Sequence, residues 1–290
     1  MDGILLDGTY TWKRARSLGV TRSQIRVDGA PIARGLFVSR ALEPDLATRC
    51  RAWASRLPDD AAFGLDTAAA LFGAPCPSSG RLHAVLTPRR VLPQFDGITV
   101  HARRLSHDDV VEHLGLRLTS GAQTFLDLAA RLLPEDLLPL GDGLMRVGAL
   151  DAAALEQRLG RADRVRGVAR AREWAPRLTA HAASRPESVM RYWLLTSRLP
   201  RPEVQLPVHD RWGRVVAHAD LGYEEWKVAL EYEGRQHAEA EQFGRDVDRY
   251  SLMAADGWLV LRFAGRHLGG PTALIDRTTR ALMSRGWQPC

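Results

Sequence analysis

The sequence predicts a mixed α/β chain in two parts, and three observations predict it. A length of 290 residues is long for one compact domain and comfortable for two. Helical and strand-like hydrophobic periods alternate along most of it. Near residue 160 the composition shifts to an Arg- and Ala-rich stretch, RLGRADRVRGVARAREW. The expected division is therefore 1–160, a basic linking helix over 161–183, and a C-terminal part over 184–290.

From the N-terminus, residues 9–40 read as two short helices and a strand. Lys13 to Leu18 is helical in pattern and stops at Gly19. Thr21 and Ser23 are good N-cap types for a second helix carrying Gln24, Ile25 and Val27. Asp28-Gly29 marks a turn, and IARGLFVSR follows as a strand. This order fits a small helix-turn-helix or a degenerate winged helix, or equally a helical cap that touches no DNA. Over 45–150, Asp45 to Leu57 and Leu65 to Phe72 read as helices, RLHAVLTP and ITVHARRL as strands. Ala122 to Leu133 is helical, and Glu135 to Leu155 is helical with interruptions at Pro139, Gly141 and Gly143. His101 and His107 are scattered and form no constellation.

Past residue 184 the pattern becomes regular. Ser184 and Pro186 suit the start of a helix that ends near Leu199-Pro200. EVQLPVHD, RVVAHADLGY and EEWKVALEYEG are three strand-like runs. A helix over Glu239 to Asp256, the strand GWLVLRF and a helix over Thr272 to Ser284 complete an α/β sheet with helices on its faces.

Composition narrows the function classes. Apolar residues form 45% of the chain, enough for ordinary cores. The net charge of +6 and a sequence pI near 9.7 suggest a polyanionic partner, nucleic acid before a membrane surface. Lys13 and Lys227 are the only lysines, and so general Arg usage explains much of the excess. Cys50, Cys76 and Cys290 have no zinc-site spacing, and their sparse, odd count fits a reducing cytosol. No stretch approaches the ~20 apolar residues of a membrane span. The opening MDGILLDGTYTWKRAR has its charges in the reverse order of a signal peptide. A cytoplasmic protein with no membrane partner is expected. Protein partners are left open, a homo-oligomer among them.

The chemistry concentrates on two neighbouring strands. Asp220 lies on one, Glu231 and Glu233 on the next. Strand alternation puts Glu231 and Glu233 on one face with Ala229, opposite Leu230 and Tyr232. Carboxylates on an otherwise apolar strand are costly unless compensated. A hard divalent cation such as Mg²⁺ or Mn²⁺ compensates them, and its bound water can attack a phosphodiester. Gly234 lets the chain turn out of the strand, so that His237 can return as a general base or to bind the leaving oxygen. Glu187, at the start of the preceding helix, is either a further outer carboxylate or an acid favoured by the helix dipole.

These residues carry a family resemblance. The run from Asp220 through Glu231, Glu233 and Gly234 to His237 resembles the PD-(D/E)XK nuclease superfamily. Within it, the run is similar to the Vsr-like branch found as an endonuclease domain in actinobacterial proteins. Asp246 and Arg249 fit that branch's D-x-x-R helix, and Gly257 to Arg262 fits its G-W-x-V-L-R strand. Glu187-Ser188 and the LPRPEVQ run from Leu199 fit upstream. The resemblance implies a restriction-endonuclease-like fold that hydrolyses DNA with Mg²⁺ or Mn²⁺. It implies Asp220 and Glu231 as metal ligands, with the Tyr232 carbonyl as a further one. It makes Asp220, Glu231, Glu233, His237 and Glu187 the catalytic set. Two departures stand out: Glu233 replaces the branch's shorter Asp, and no lysine holds the motif's third position. Lys227, four residues from Glu231, stands about 13 Å away at strand rise.

In the N-terminal part, ARSLGVTRSQI, RGLFVSR, DTAAALFG and TSGAQTFLDLAARL resemble the AbiEi-like antitoxin or transcriptional-regulator module, with a shortened winged helix. The expected function is a metal-dependent endonuclease. The rival from another class is a DNA-binding regulator or antitoxin whose nuclease fold is catalytically idle.

Overall fold

The computed structural model describes residues 8–42, 45–234 and 249–289. The fold is mixed α/β, in two compact units. One comprises Met1–Arg131 and Ala149–Arg172, the other Leu132–Gly148 and Glu173–Cys290. The boundary expected near residue 160 thus falls inside the last stretch of the first unit.

The first unit opens with β1 (Thr9–Thr11) and α1 (Trp12–Ser17), capped by the Thr11 hydroxyl, which accepts the Arg14 N–H. α2 (Arg22–Asp28) starts with a Thr21–Gln24 capping box. The single strand expected over IARGLFVSR is instead a hairpin, β2 (Gly29–Ala33) and β3 (Leu36–Ser39). Gly35 sits between them at φ +75°, a left-handed conformation that reverses the chain. Tyr10, Ala15, Val20 and Ile25 form the core of this helix–helix–hairpin module.

A five-stranded sheet follows, in the order β6-β5-β4-β8-β7. Its strands are β4 (Ala62–Phe63), β5 (Leu82–Leu86), β6 (Ile98–Ala102), β7 (Val110–His113) and β8 (Leu116–Thr119). The helices are α3 (Leu46–Ala54), α4 (Leu65–Leu71), α5 (Gly121–Ala129) and α7 (Ala152–Gly160). Trp53, Phe63, Ile98 and Leu118 are buried in one cluster. The β7–β8 hairpin was not anticipated. Its turn is Leu114-Gly115, both at positive φ, which matches the twist of a tight antiparallel hairpin.

Two further expectations change here. His101 is not isolated: its Nε2 lies 2.9 Å from His83 Nδ1, and His83 Nε2 lies 2.8 Å from Ser79 Oγ. Burial, then the charge of Arg131, pushes His101 down to about 4. The linking helix over 161–183 is also broken. It contains α8 (Val168–Trp174) and a short 3-10 turn, Ala175–Arg177. Arg170 donates to the Ala129 carbonyl, and Arg172 donates to those of Leu159 and Ala162. These arginines satisfy backbone acceptors, a structural use of residues whose sequence suggested a basic outer face.

In the second unit α6 (Pro134–Arg146) runs unbroken through Pro139, Gly141 and Gly143, where interruptions were expected. Every residue from Leu137 to Leu144 is buried, and packing against α9 (Arg185–Leu195) outweighs the weak helix propensity of that stretch. The two helices share a buried ion pair. Asp142 accepts from Arg191 Nη2 at 2.6 Å, from Ser188 Oγ at 2.7 Å and from the Thr179 N–H at 2.9 Å.

The sheet of this unit has the order β12-β11-β10-β9. β9 (Glu203–His209), β10 (Val215–Tyr223) and β11 (Val228–Glu233) are antiparallel neighbours, whereas β12 (Leu259–Ala264) runs parallel to β11. A parallel pair needs a crossover connection, and its described part is the helical segment 249–255, α10. Met190 and Leu194 of α9 and Leu282 of α11 (Thr272–Ser284) pack on Leu221, Leu230 and Phe263. Met253 and Tyr250 of α10 pack on Leu206 and Ala229. Helix, three strands, helix, strand and closing helix is the order read from the sequence, without strand directions; residues 239–248 of the expected helix Glu239 to Asp256 lie outside the described residues.

Replacing Arg191 with Met leaves Asp142 buried without its cation. The expected cost is about 3–5 kcal/mol, read as a lowered urea midpoint. An unchanged midpoint would mean that the pair contributes nothing to this unit.

Candidate functional site

The two middle strands of the C-terminal sheet form a fork. β10 pairs with β11 from Tyr223↔Val228 to Leu221↔Leu230, where the pairing ends. β10 continues beside β9 through Ala219↔Leu206, and β11 continues beside β12 to Glu233↔Ala264. The strands therefore part at Asp220 and Glu231. Asp220 Oδ2 accepts the Tyr232 N–H at 2.7 Å, a donor that a continued ladder would pair with a β10 carbonyl. Just before the fork the strands are tight. A Cβ on Gly222 would meet Leu206 Cδ2 at 2.5 Å and the Val228 carbonyl oxygen at 2.9 Å.

Three acids gather around the fork. Glu231 is 6% exposed, with Arg249 Nη2 of α10 at 3.5 Å. Glu187, also 6% exposed, comes from the first turn of α9. Its carboxylate accepts from the Ala183 N–H and from Ser184 Oγ, each at 2.8 Å, while the Ser184 hydroxyl caps the helix. Gln205 Nε2, on β9, is 3.4 Å from the same carboxylate. Glu187 is thus a helix-start acid within electrostatic reach of Asp220. Burial raises its pKa, and the charge of Asp220 raises it further. Burial also raises the pKa of Asp220, against the opposing pull of the Tyr232 N–H and Arg249.

The other expected members lie differently. Glu233 is exposed at the end of β11 and pairs with Arg262 Nη2 at 2.5 Å. It shares the strand with Glu231 but stands at the rim, because β11 leaves the protein interior after Tyr232. Arg262 and Arg249 both stack on the Tyr250 ring, at 4.5 and 4.7 Å. Tyr232 stands in the ladder with β12 and gives its N–H to Asp220. Lys227 donates to the Asp256 carbonyl at 3.1 Å, away from the acids. His237 and Asp246 lie outside the described residues. Gln205 was missed, since nothing in its neighbours signals a residue at φ +51° inside a strand.

Whether these residues suit a divalent cation can be judged from their chemistry. The donors are hard carboxylate oxygens, the type Mg²⁺ takes. Arg249 lies 3.5 Å from buried Glu231 and its charge also acts on half-buried Asp220, while Arg146 is the smallest influence on buried Glu187. Among the described residues no three His, Cys, Asp or Glu side chains converge on one ion. Mg²⁺ commonly uses one or two carboxylates with water and substrate phosphates, and Asp220 and Glu231 are carboxylates of that donor type.

No family model matches the chain. Uncharacterized proteins from two strains of Mycobacterium tuberculosis are 28% identical to it over 246 residues. That match covers 83% of this chain and 89% of each relative. The matched span is longer than either compact unit, so the likeness extends over parts of both.

The raised pKa values have a definite sign. An acid whose folded pKa lies above its unfolded value stabilises the fold below the ordinary carboxylate range, and that stability is lost as pH rises through the folded pKa. Cation-free protein is therefore expected to lose stability above that range as Asp220 and Glu187 ionise. Asp220→Asn keeps an acceptor for the Tyr232 N–H and removes one charge. At pH 7 with chelator it should melt above the wild type, and the gap should close in acid. A variant melting below the wild type at pH 7 would show that the charge is already compensated.

Proposed function

We propose that the second unit is a divalent-cation-dependent nuclease domain acting on DNA, with Asp220 and Glu231 as its cation ligands. The observation that carries this reading is the strand fork, which holds two acids at the mouth of an apolar sheet and a third, Glu187, beside them. A sheet interior does not keep such charges without a counter-ion. The basic chain and the resemblance of the Asp220–His237 run to Vsr-like endonucleases both support DNA as the substrate.

When bound, a Mg²⁺ or Mn²⁺ ion would stabilise charge on the phosphoryl oxygens and make water more acidic. The protein's own groups have distinct roles. The Tyr232 N–H fixes one oxygen of Asp220, which orients the carboxylate. Glu187 holds the start of α9 against the fork and adds negative charge beside Asp220. Arg249, already turned toward the acids, can shift to a substrate phosphate. His237, three residues after Gly234, is the candidate to take the proton from water as it attacks phosphorus and the P–O ester bond breaks. Glu233 and Arg262 form a charged rim. The first unit, with its helix–helix–hairpin module, supports a DNA-binding, AbiEi-like regulatory part. The sparse cysteines and absence of zinc spacing support a cytoplasmic location. No described helix is long and apolar enough to cross a membrane.

A second reading has its own observation. Arg249 sits against Glu231 and Arg262 against Glu233, so guanidinium groups can serve as permanent counter-ions. The protein is then a DNA-binding regulator or antitoxin with an idle site.

One experiment separates the two readings: incubation with duplex, nicked and single-stranded DNA in Mg²⁺ or Mn²⁺. The nuclease reading expects cleavage that chelator abolishes and that Asp220→Asn lowers at least about a hundredfold, beyond the loss typical of supporting residues around a metal. If wild type and Asp220→Asn behave alike on every substrate, the enzyme reading fails and the idle reading stands.

A further inference from the structure

The turn between β9 and β10 presents a tryptophan to solvent. Trp212 is 67% exposed, and Arg211 and Arg214 lie over its ring at 4.6 and 5.0 Å from the centroid. The turn beneath it is built to hold that pose. Buried Asp210 accepts the N–H groups of Trp212 and Arg214 at 2.8 and 2.9 Å, and its other oxygen accepts from Arg214 Nε at 2.9 Å. Gly213 adopts φ +77°, and the Arg211 N–H reaches Asp256 Oδ1 at 3.3 Å. Arg214 is thereby neutralised by Asp210, whereas the Arg211 side chain has no acidic partner among the described residues. The exposed ring thus carries one cation that no acid among the described residues pairs with.

We propose that Trp212 is a stacking platform for an unpaired base of a DNA strand, with Arg211 engaging the adjoining phosphate; the proposal rests on the nucleic-acid reading of the second unit. An indole offers a sequence-tolerant π-face, and base–aromatic stacking is a main source of affinity for single strands. Arg adds charge to phosphate and can slide on the ring edge as a base enters. Because Asp210 and Gly213 fix the turn, little ordering cost remains at binding. Val215 and Val216, the first residues of β10, are also exposed, and β10 leads from this turn directly to the fork at Asp220. Val215 and Asp220 are about 16 Å apart at strand rise. At about 3.4 Å per nucleotide, one bound strand can reach both.

The test is fluorescence anisotropy with a labelled single strand of about 15 nucleotides, near the upper end of single-strand site sizes. It uses the full chain in chelator, so that cleavage plays no part. Trp212→Ala is expected to weaken binding about tenfold, and Trp212→Phe to recover most of the loss. Arg211→Ala should reduce the salt dependence by about one phosphate contact. The quenching of tryptophan emission by the strand should be smaller in Trp212→Phe than in wild type. Wild-type affinity in Trp212→Ala overturns the proposal and leaves the nucleic-acid reading intact. No binding by the wild type overturns that reading and this proposal with it. Loss of a dimer in Trp212→Ala, seen by light scattering with DNA binding unchanged, would reassign the turn to self-association.

Discussion

Where β10 and β11 part, the Tyr232 N–H loses the carbonyl that a continued ladder would give it, and the Asp220 carboxylate takes it at 2.7 Å. A buried backbone donor without a partner is costly, so this single bond sets much of the site. It holds a carboxylate in the gap between the two strands. There Asp220 comes within electrostatic reach of Glu187 from α9 and of Arg249 from α10. The helices on opposite faces of the sheet thus both deliver a charged group to the same opening. Gly222 makes the opening abrupt, since a side chain there would separate the strands earlier.

The architecture of the C-terminal sheet was legible because its strands are separated by strong punctuation and differ in period from the helices. Arg211 to Gly213 marks the first turn, and the apolar run from Val228 to Tyr232 marks the central strand. Asp220 and Glu231 were legible as acids of a buried sheet, and Glu187 as an acid at the start of a helix. The fork was not. Register between strands depends on which backbone groups pair, and no residue pattern records that Asp220 replaces a carbonyl. Glu233 misled for a related reason: alternation gives the face of a strand and says nothing of where the strand leaves the interior. In the first unit the Leu114-Gly115 turn escaped notice because leucine rarely adopts positive φ. Pro139 misled in the other direction, as burial on every side of α6 overrode local propensity.

Charge is used in contrasting ways across the chain. Asp142 and Arg191 are buried and matched, with further donors from Ser188 and Thr179, and they tie α6 to α9. At the fork Arg249 lies 3.5 Å from Glu231 and its charge also acts on Asp220, whose own charge acts on Glu187. Arg170 and Arg172 show that high Arg content need not mean phosphate binding, because both close backbone carbonyls. Arg211, on an exposed turn, is in the opposite situation.

The central claim is that the fork holds a divalent cation through Asp220 and Glu231. The most direct measurement is Mn²⁺ binding to the full-length protein by electron paramagnetic resonance, without DNA. The account predicts a bound Mn²⁺ in the wild type that is lost in Asp220→Asn and in Glu231→Gln. Binding that is absent in the wild type, or equal in all three proteins, would contradict it.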